Sequence, residues 1–267
     1  MLELRPIHEL ISLKGKCSLI TGAAAGIGKV TVLRFAEAGS DLELVDINLE
    51  GLKNVANDIK DRYDVEVDIH RVDLSNKNEI DELWKELEGD EPDILVNIAG
   101  IYVFEDFLEL DENLLEKVMR INLYSVIWMC QHMIRTRLNK GGVIINVGSI
   151  ESIIPFARNL VHYDVSKIGI VALTRVLARE YGRKGFRVNA VIPGGIETEG
   201  VKKLKKEALT KLRVDIISTG IDFMKRVPMG RLGDPDEVAR VILFLASDLA
   251  SYINGAIIPV DGGFLSV

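Results

Sequence analysis

Short aliphatic runs alternate with amphipathic stretches along the whole chain, and no Pro-, Ser- or Gly-rich linker interrupts them. Seven runs read as strands: CSLIT (17–21), LELV (42–45), VEVDIH (65–70), DILVN (93–97), GVIINVG (142–148), RVNAVI (187–192) and AIIPV (256–260). Helical periodicity fills the intervals at about 27–38, 49–60, 76–87, 111–138, 163–182 and 234–247. Strands that alternate with helices pair in parallel through right-handed crossovers. The pattern predicts an α/β fold, a doubly wound seven-stranded parallel sheet flanked by helices, as one domain over 1–267.

Residues 199–227 depart from that alternation. Leu204, Ala208 and Leu212 recur at helical spacing among Lys202, Lys203, Lys205, Lys206 and Lys211. Such a stretch reads either as a solvated helix face or as a mobile helical lid over a site.

Composition then excludes several classes. With 48% hydrophobic and 27% charged residues, the chain has enough apolar material for a large core. Forty acids against 33 bases leave a net charge of -7, with no basic excess to neutralise a phosphate backbone, so nucleic acid is not an expected partner. Cys17 and Cys130 are read as reduced thiols. The opening MLELRPIHELISLKGK lacks the order of a signal peptide, and the uncharged run INLYSVIWMCQHMI is shorter than the roughly 20 apolar residues of a membrane span. A cytoplasmic protein without membrane contact is expected. The four histidines have no metal-ligand spacing, so no metal is expected.

Three local patterns carry chemistry. The first strand runs into Thr21-Gly22-Ala23-Ala24-Ala25-Gly26-Ile27-Gly28 and then a helix, the arrangement that holds a pyrophosphate on backbone N–H groups and the helix dipole. Its spacing, Gly-x3-Gly-x-Gly, differs from the generic dinucleotide fingerprint. Asp46, at the end of the second strand and 18 residues after Gly28, is placed to accept hydrogen bonds from ribose hydroxyls, or else to cap the helix that starts near Asn48 or Leu49. Neither Ala25 nor Ile47 offers a cation for a 2′-phosphate, so NAD is favoured over NADP. Tyr163 and Lys167 stand four apart and share a helix face, where an ammonium can lower a phenol pKa toward the working range. Alone, Tyr-x3-Lys is a common structural pattern.

The ordered set TGAAAGIG (21–28), Asp46, Asp73-Leu74, NIAG (97–100), Asn122, NVGS (146–149), YDVSK (163–167), PGGIET (193–198) and VDGG (260–263) resembles the short-chain dehydrogenase/reductases from about residue 14 to 265. That resemblance implies a Rossmann fold, with Tyr163 as general acid/base and Lys167 lowering its pKa and binding the nicotinamide ribose. It also implies that Ser149 holds the substrate oxygen and Asn122 supports a proton-relay water. For the cofactor it implies Thr21, Gly22, Ala25, Gly26, Ile27 and Gly28 in the loop, Asp46 and Ile47 at the ribose, and Asp73 and Leu74 at the adenine. It further implies Asn97 and Gly100 at the adenosine side of the cofactor, Ile196 and Thr198 at the carboxamide, and Ala99, Pro193 and Gly194 among the cofactor-binding residues. Ser149 precedes Tyr163 by 14 positions where the family usually has 13, which makes Ser152 the competing serine. Ile98 stands where the family more often has Asn or Ala.

The function implied is hydride transfer between NAD(H) and a secondary alcohol or carbonyl compound. Glu151 and His162, between or beside the serine and tyrosine, are expected at the substrate, and IPF…LVHY is similar to sugar dehydrogenases of the glucose 1-dehydrogenase type, which points to a sugar or polyol. A 3-oxoacyl-[acyl-carrier-protein] reductase-like ketoreductase and a non-catalytic dinucleotide-binding regulator are the alternatives. A homotetramer is implied by the resemblance alone.

Overall fold

A computed structural model of the chain describes residues 4–210 and 214–267. The strands are β1 (Cys17–Thr21), β2 (Asp41–Asp46), β3 (Val67–Arg71), β4 (Ile94–Asn97), β5 (Gly142–Val147), β6 (Phe186–Pro193) and β7 (Ile257–Val260). They form one sheet in the order β3-β2-β1-β4-β5-β6-β7, and every pair is parallel. All four residues of β4 are buried, as a parallel strand covered on both faces requires. The chain leaves β1 toward β2 on one side, whereas β4 lies on the other. This reversal opens the crevice in which doubly wound sheets bind ligands.

Helices α1 (Ile7–Ile11), α2 (Gly26–Glu37), α3 (Leu49–Lys60), α4 (Lys77–Glu86), α5 (Glu112–Met119), α6 (Ser125–Thr136), α7 (Val161–Tyr181), α8 (Glu199–Thr210), α9 (Val214–Arg226) and α10 (Pro235–Ala246) complete the described chain. One core joins Phe35 of α2, Leu52 of α3 and Ile242 of α10, a second joins Trp84 of α4, Met133 of α6 and Ile170 of α7, and a smaller third joins Ile150, Ile192 and Phe264. The first two occupy the two faces that a doubly wound sheet must cover. Asn48, Asn76, Asp111 and Asp234 cap the helices that follow them.

The seven strands and the predicted helices are present, with one interruption. The stretch read as a single helix over 111–138 contains a π-helical turn at Arg120–Tyr124 between α5 and α6. A wider turn accommodates one extra residue per turn, and Asn122 sits within it, fully buried. The excursion at 199–227 carries α8 and α9. Lys211 and Leu212 lie outside the described residues, as do the side chains of Leu204, Lys205 and Ala208. Among the described residues no helix is long and apolar enough to cross a membrane.

Candidate active site

At the β1 end of the crevice the chain turns sharply with Gly22 at φ 70° and Gly26 at φ 55°, a region that glycine enters without steric cost. A Cβ on Gly28 would lie 1.9 Å from the Gly22 carbonyl oxygen, so only glycine lets α2 start against β1. Unlike α3, α4, α5 and α10, helix α2 has no side-chain cap at its N-terminal residue, Ala25. Its first turn therefore lacks a capping side-chain acceptor and can offer N–H groups to an anion. These features fit the pyrophosphate of a dinucleotide.

Asp46 closes β2 with its carboxylate accepting from Ala24 N–H at 3.1 Å and Asn48 N–H at 2.9 Å. Asn48, not Asp46, caps α3. Ile47 beside it is exposed, and strand pairing sets Arg71 opposite Asp46. Asp73 accepts from the Ser75 backbone and hydroxyl, and Leu74 is buried in the second core.

Thr21 and Asn97 point into the protein. The Thr21 hydroxyl accepts from Ile98 N–H at 3.0 Å and Ala99 N–H at 3.2 Å, tying the end of β1 to the segment after β4. The Asn97 amide donates to Asn146 Oδ1 at 2.9 Å, and Asn146 donates on to Thr174 at 3.0 Å. Both side chains hold the crevice walls together. Gly100 is confined by chemistry: a Cβ there would meet Asn122 Oδ1 at 3.3 Å and Lys167 Nζ at 3.4 Å.

Beyond the switch point the crevice opens into a cavity of about 1340 Å³ that Ser149, Glu151, Tyr163, Lys167, Ile196 and Thr198 help to line. Ile27, Gly100, Pro193 and Gly194 also reach it. Lys167 Nζ donates to the Val147 carbonyl at 2.9 Å and lies 5.9 Å from the Tyr163 ring centroid. Asn122 accepts from Ile101 N–H at 2.8 Å and donates to Ile101 O at 2.9 Å and to Ser166 Oγ at 3.2 Å, which fixes the loop after Gly100. The segment between Ser149 and Tyr163 contains a 3₁₀ turn at Ile150–Ser152 and Asn159 at φ 65°. Ser149 remains on the cavity, whereas the Ser152 hydroxyl turns inward to donate to the Ser149 carbonyl.

Burial sets the proton affinities. It pushes the Tyr163 phenol up to about 12, against a hydrogen bond with Ser149 that lowers it, while the charges of Glu151 and Asp164 raise it further. Burial brings Lys167 down to about 8. The expected lowering of the phenol by the ammonium is absent from these causes: the Ser149 hydrogen bond is the one lowering influence on Tyr163, and burial disfavours the charged form of both groups. Glu151 is raised by burial, against bonds from Phe156 and Ala157 N–H, and Asp164 is pushed up to about 7 by burial and by Glu151.

His162 does not line the cavity. Its Nε2 lies 2.9 Å from the Val103 carbonyl, and the ring is buried. Tyr102 was not signalled by any motif, yet it lines the cavity and packs edge-on against Tyr163 at 4.8 Å between centroids. Phe156 and Phe223, distant in sequence, also wall the cavity.

The fold and this convergence define a dinucleotide-binding oxidoreductase. A family model described as enoyl-(acyl carrier protein) reductase matches residues 22–265. The chain is 36% identical over 95% of its length, and 98% of the relative, to the 3-oxoacyl-[acyl-carrier-protein] reductase FabG of Aquifex aeolicus. It is 37% identical to an NAD-dependent glycerol dehydrogenase of Listeria innocua, with 93% of each chain covered. The solved L-sorbose reductase of Gluconobacter frateurii, complexed with NADPH and L-sorbose, superposes with a TM-score of 0.88 at 28% identity, covering 97% of this chain and 99% of the other. The chain belongs to the short-chain dehydrogenase/reductase family, oxidoreductases that act on CH–OH groups.

Proposed function

We propose that the protein transfers hydride between NAD(H) and a secondary alcohol or carbonyl compound, with Tyr163 as the proton-transferring group. The observation that carries this reading is the meeting of Ser149, Tyr163 and Lys167 on one cavity at the carboxyl edge of the sheet. A bound nicotinamide ring supplies the hydride donor or acceptor. Tyr163 gives a proton to the substrate oxygen during reduction and takes it during oxidation. Ser149 orients that oxygen by hydrogen bonding. Lys167, steadied on the Val147 carbonyl, binds the nicotinamide ribose, and Asn122 steadies the loop that carries Tyr102.

The uncapped start of α2 holds the pyrophosphate, and Asp46 accepts from the adenosine ribose hydroxyls while repelling a 2′-phosphate. NAD is accordingly the cofactor. Glu151 faces the substrate, and a small sugar or polyol is favoured by the likeness to the Listeria glycerol dehydrogenase. A second reading, a ketoreductase working on carrier-bound acyl chains, is favoured by the likeness to the Aquifex enzyme. On either reading the protein is a cytoplasmic homotetramer; the exposed apolar row Val161, Val165, Ile168 and Val176 on α7 supports contact with another copy, and the number of copies rests on the family resemblance.

The test is NADH formation from a panel of secondary alcohols by wild type and Tyr163→Phe. The variant is expected to lose roughly 10² to 10⁴ in kcat while its Kd for NAD stays within about twofold. Turnover of the variant near that of wild type would remove Tyr163 from the mechanism.

A further inference from the structure

The Glu151 side chain lies two residues beyond Ser149 on the cavity that holds Tyr163, and the residue is only 5% exposed. Its carboxylate is clamped by Phe156 N–H at 2.7 Å and Ala157 N–H at 3.2 Å, and its own N–H donates to Ser149 Oγ at 3.2 Å. The charge is felt at Tyr163, at Tyr102 and at Asp164. Among the described residues no Lys or Arg forms an ion pair with it. The cations of the cavity are committed elsewhere: Lys167 to the Val147 carbonyl, Lys225 to Asp222 at 3.0 Å and Arg231 to Glu237 at 2.7 Å.

An ionised carboxylate has about four lone-pair sites. Backbone donors supply only part of that demand, and burial makes the unmet remainder costly. A substrate hydroxyl meets it. A substrate carboxylate in the same place would instead set two like charges together in a poorly solvated site.

We propose that Glu151 is a specificity-determining residue that selects secondary alcohols carrying a neutral hydrogen-bond donor beside the reacting carbinol and rejects those carrying a carboxylate there. The proposal rests on the catalytic reading above and narrows its substrate class to neutral polyols and their keto forms. The clamp matters because a carboxylate held by two backbone N–H groups keeps one orientation, so the preference is for the position of the hydroxyl as well as for its charge.

The test measures kcat/KM with NAD for matched pairs, glycerol against glycerate and hexitols against hexonates, in wild type and Glu151→Gln. Wild type is expected to favour the polyol of each active pair by roughly 10- to 100-fold. In Glu151→Gln, which keeps the size and removes the charge, that ratio is expected to fall at least about fivefold. A purely structural carboxylate would lower both substrates together and leave the ratio alone. Near-equal use of polyol and acid by wild type overturns the proposal, and that arm decides even where the variant does not fold. An unchanged ratio in folded Glu151→Gln, verified by Tm and NAD binding, also overturns it. If wild type forms no NADH from any alcohol and oxidises none with the matching ketones, the catalytic reading itself fails and takes the proposal with it.

Discussion

At the β1–β2 end of the crevice the ligand-facing groups belong largely to the backbone: two glycines at positive φ, one glycine where a Cβ would strike a carbonyl, and the uncapped start of α2. At the β5–β6 end they belong to side chains from separate elements, Ser149 after β5, Tyr163 and Lys167 on α7, Tyr102 after β4 and Phe223 on α9. The pyrophosphate is common to NAD and NADP, the two cofactors named for the relatives, so a fixed backbone cradle suits it. A substrate varies, and side chains on loops vary with it at little cost to the fold. The relatives fit this division: a glycerol dehydrogenase, an acyl-carrier ketoreductase and a sorbose reductase share the architecture.

The sharpest way to break the contrast is at the serines. Ser149→Ala is expected to lower kcat by roughly 10² or more, because it removes a hydrogen bond to the reacting oxygen. Ser152→Ala removes a buried bond to the Ser149 carbonyl and is expected to cost about 1 kcal/mol of stability, with less than about tenfold in kcat. Steady-state kinetics with thermal melts separates the two, and the reverse order would move the substrate oxygen to Ser152.

A smaller effect concerns pH. With its affinity raised to about 12, the Tyr163 phenol keeps its proton through neutral pH. The acid needed for carbonyl reduction is then present from pH 6 to 8, whereas the phenolate needed for alcohol oxidation grows roughly tenfold per pH unit. Reduction is expected to be flat across that window and oxidation to climb through it. Profiles of kcat/KM in both directions check this. Oxidation already level at pH 7 would mean that the assembled site lowers the phenol far more than burial raises it.

Legibility in the sequence followed the same division. Glycine spacing, the acid closing β2 and the alternation of strands and helices are local, and local patterns survive in one dimension. Four residues make about one helical turn, which sets Tyr163 and Lys167 on one face, but Tyr-x3-Lys alone is a common structural pattern and their roles are implied by the family resemblance, not by the spacing. Asn122 falls within the stretch that reads as one helix over 111–138, because the π-helical turn around it leaves no periodic mark: one extra residue only shifts the phase. Tyr102 and Phe223 were invisible because only the fold brings them to the cavity that Tyr163 lines, and strand register alone sets Arg71 opposite Asp46. Thr21, Asn97 and His162 show the converse: residues in recognisable motifs whose side chains turn into the protein and bond there.

The proposal that the β2 end selects NAD, while the rest of the crevice performs proton transfer, is tested most directly by kcat/KM for NAD and NADP with one secondary alcohol, in wild type and in Asp46→Ser with Ile47→Arg. A like-charge clash partly screened by water is worth on the order of 1 to 3 kcal/mol, so wild type is expected to favour NAD by roughly 10- to 100-fold. The double substitution is expected to shift preference toward NADP. Equal use of NADP by wild type would contradict the account.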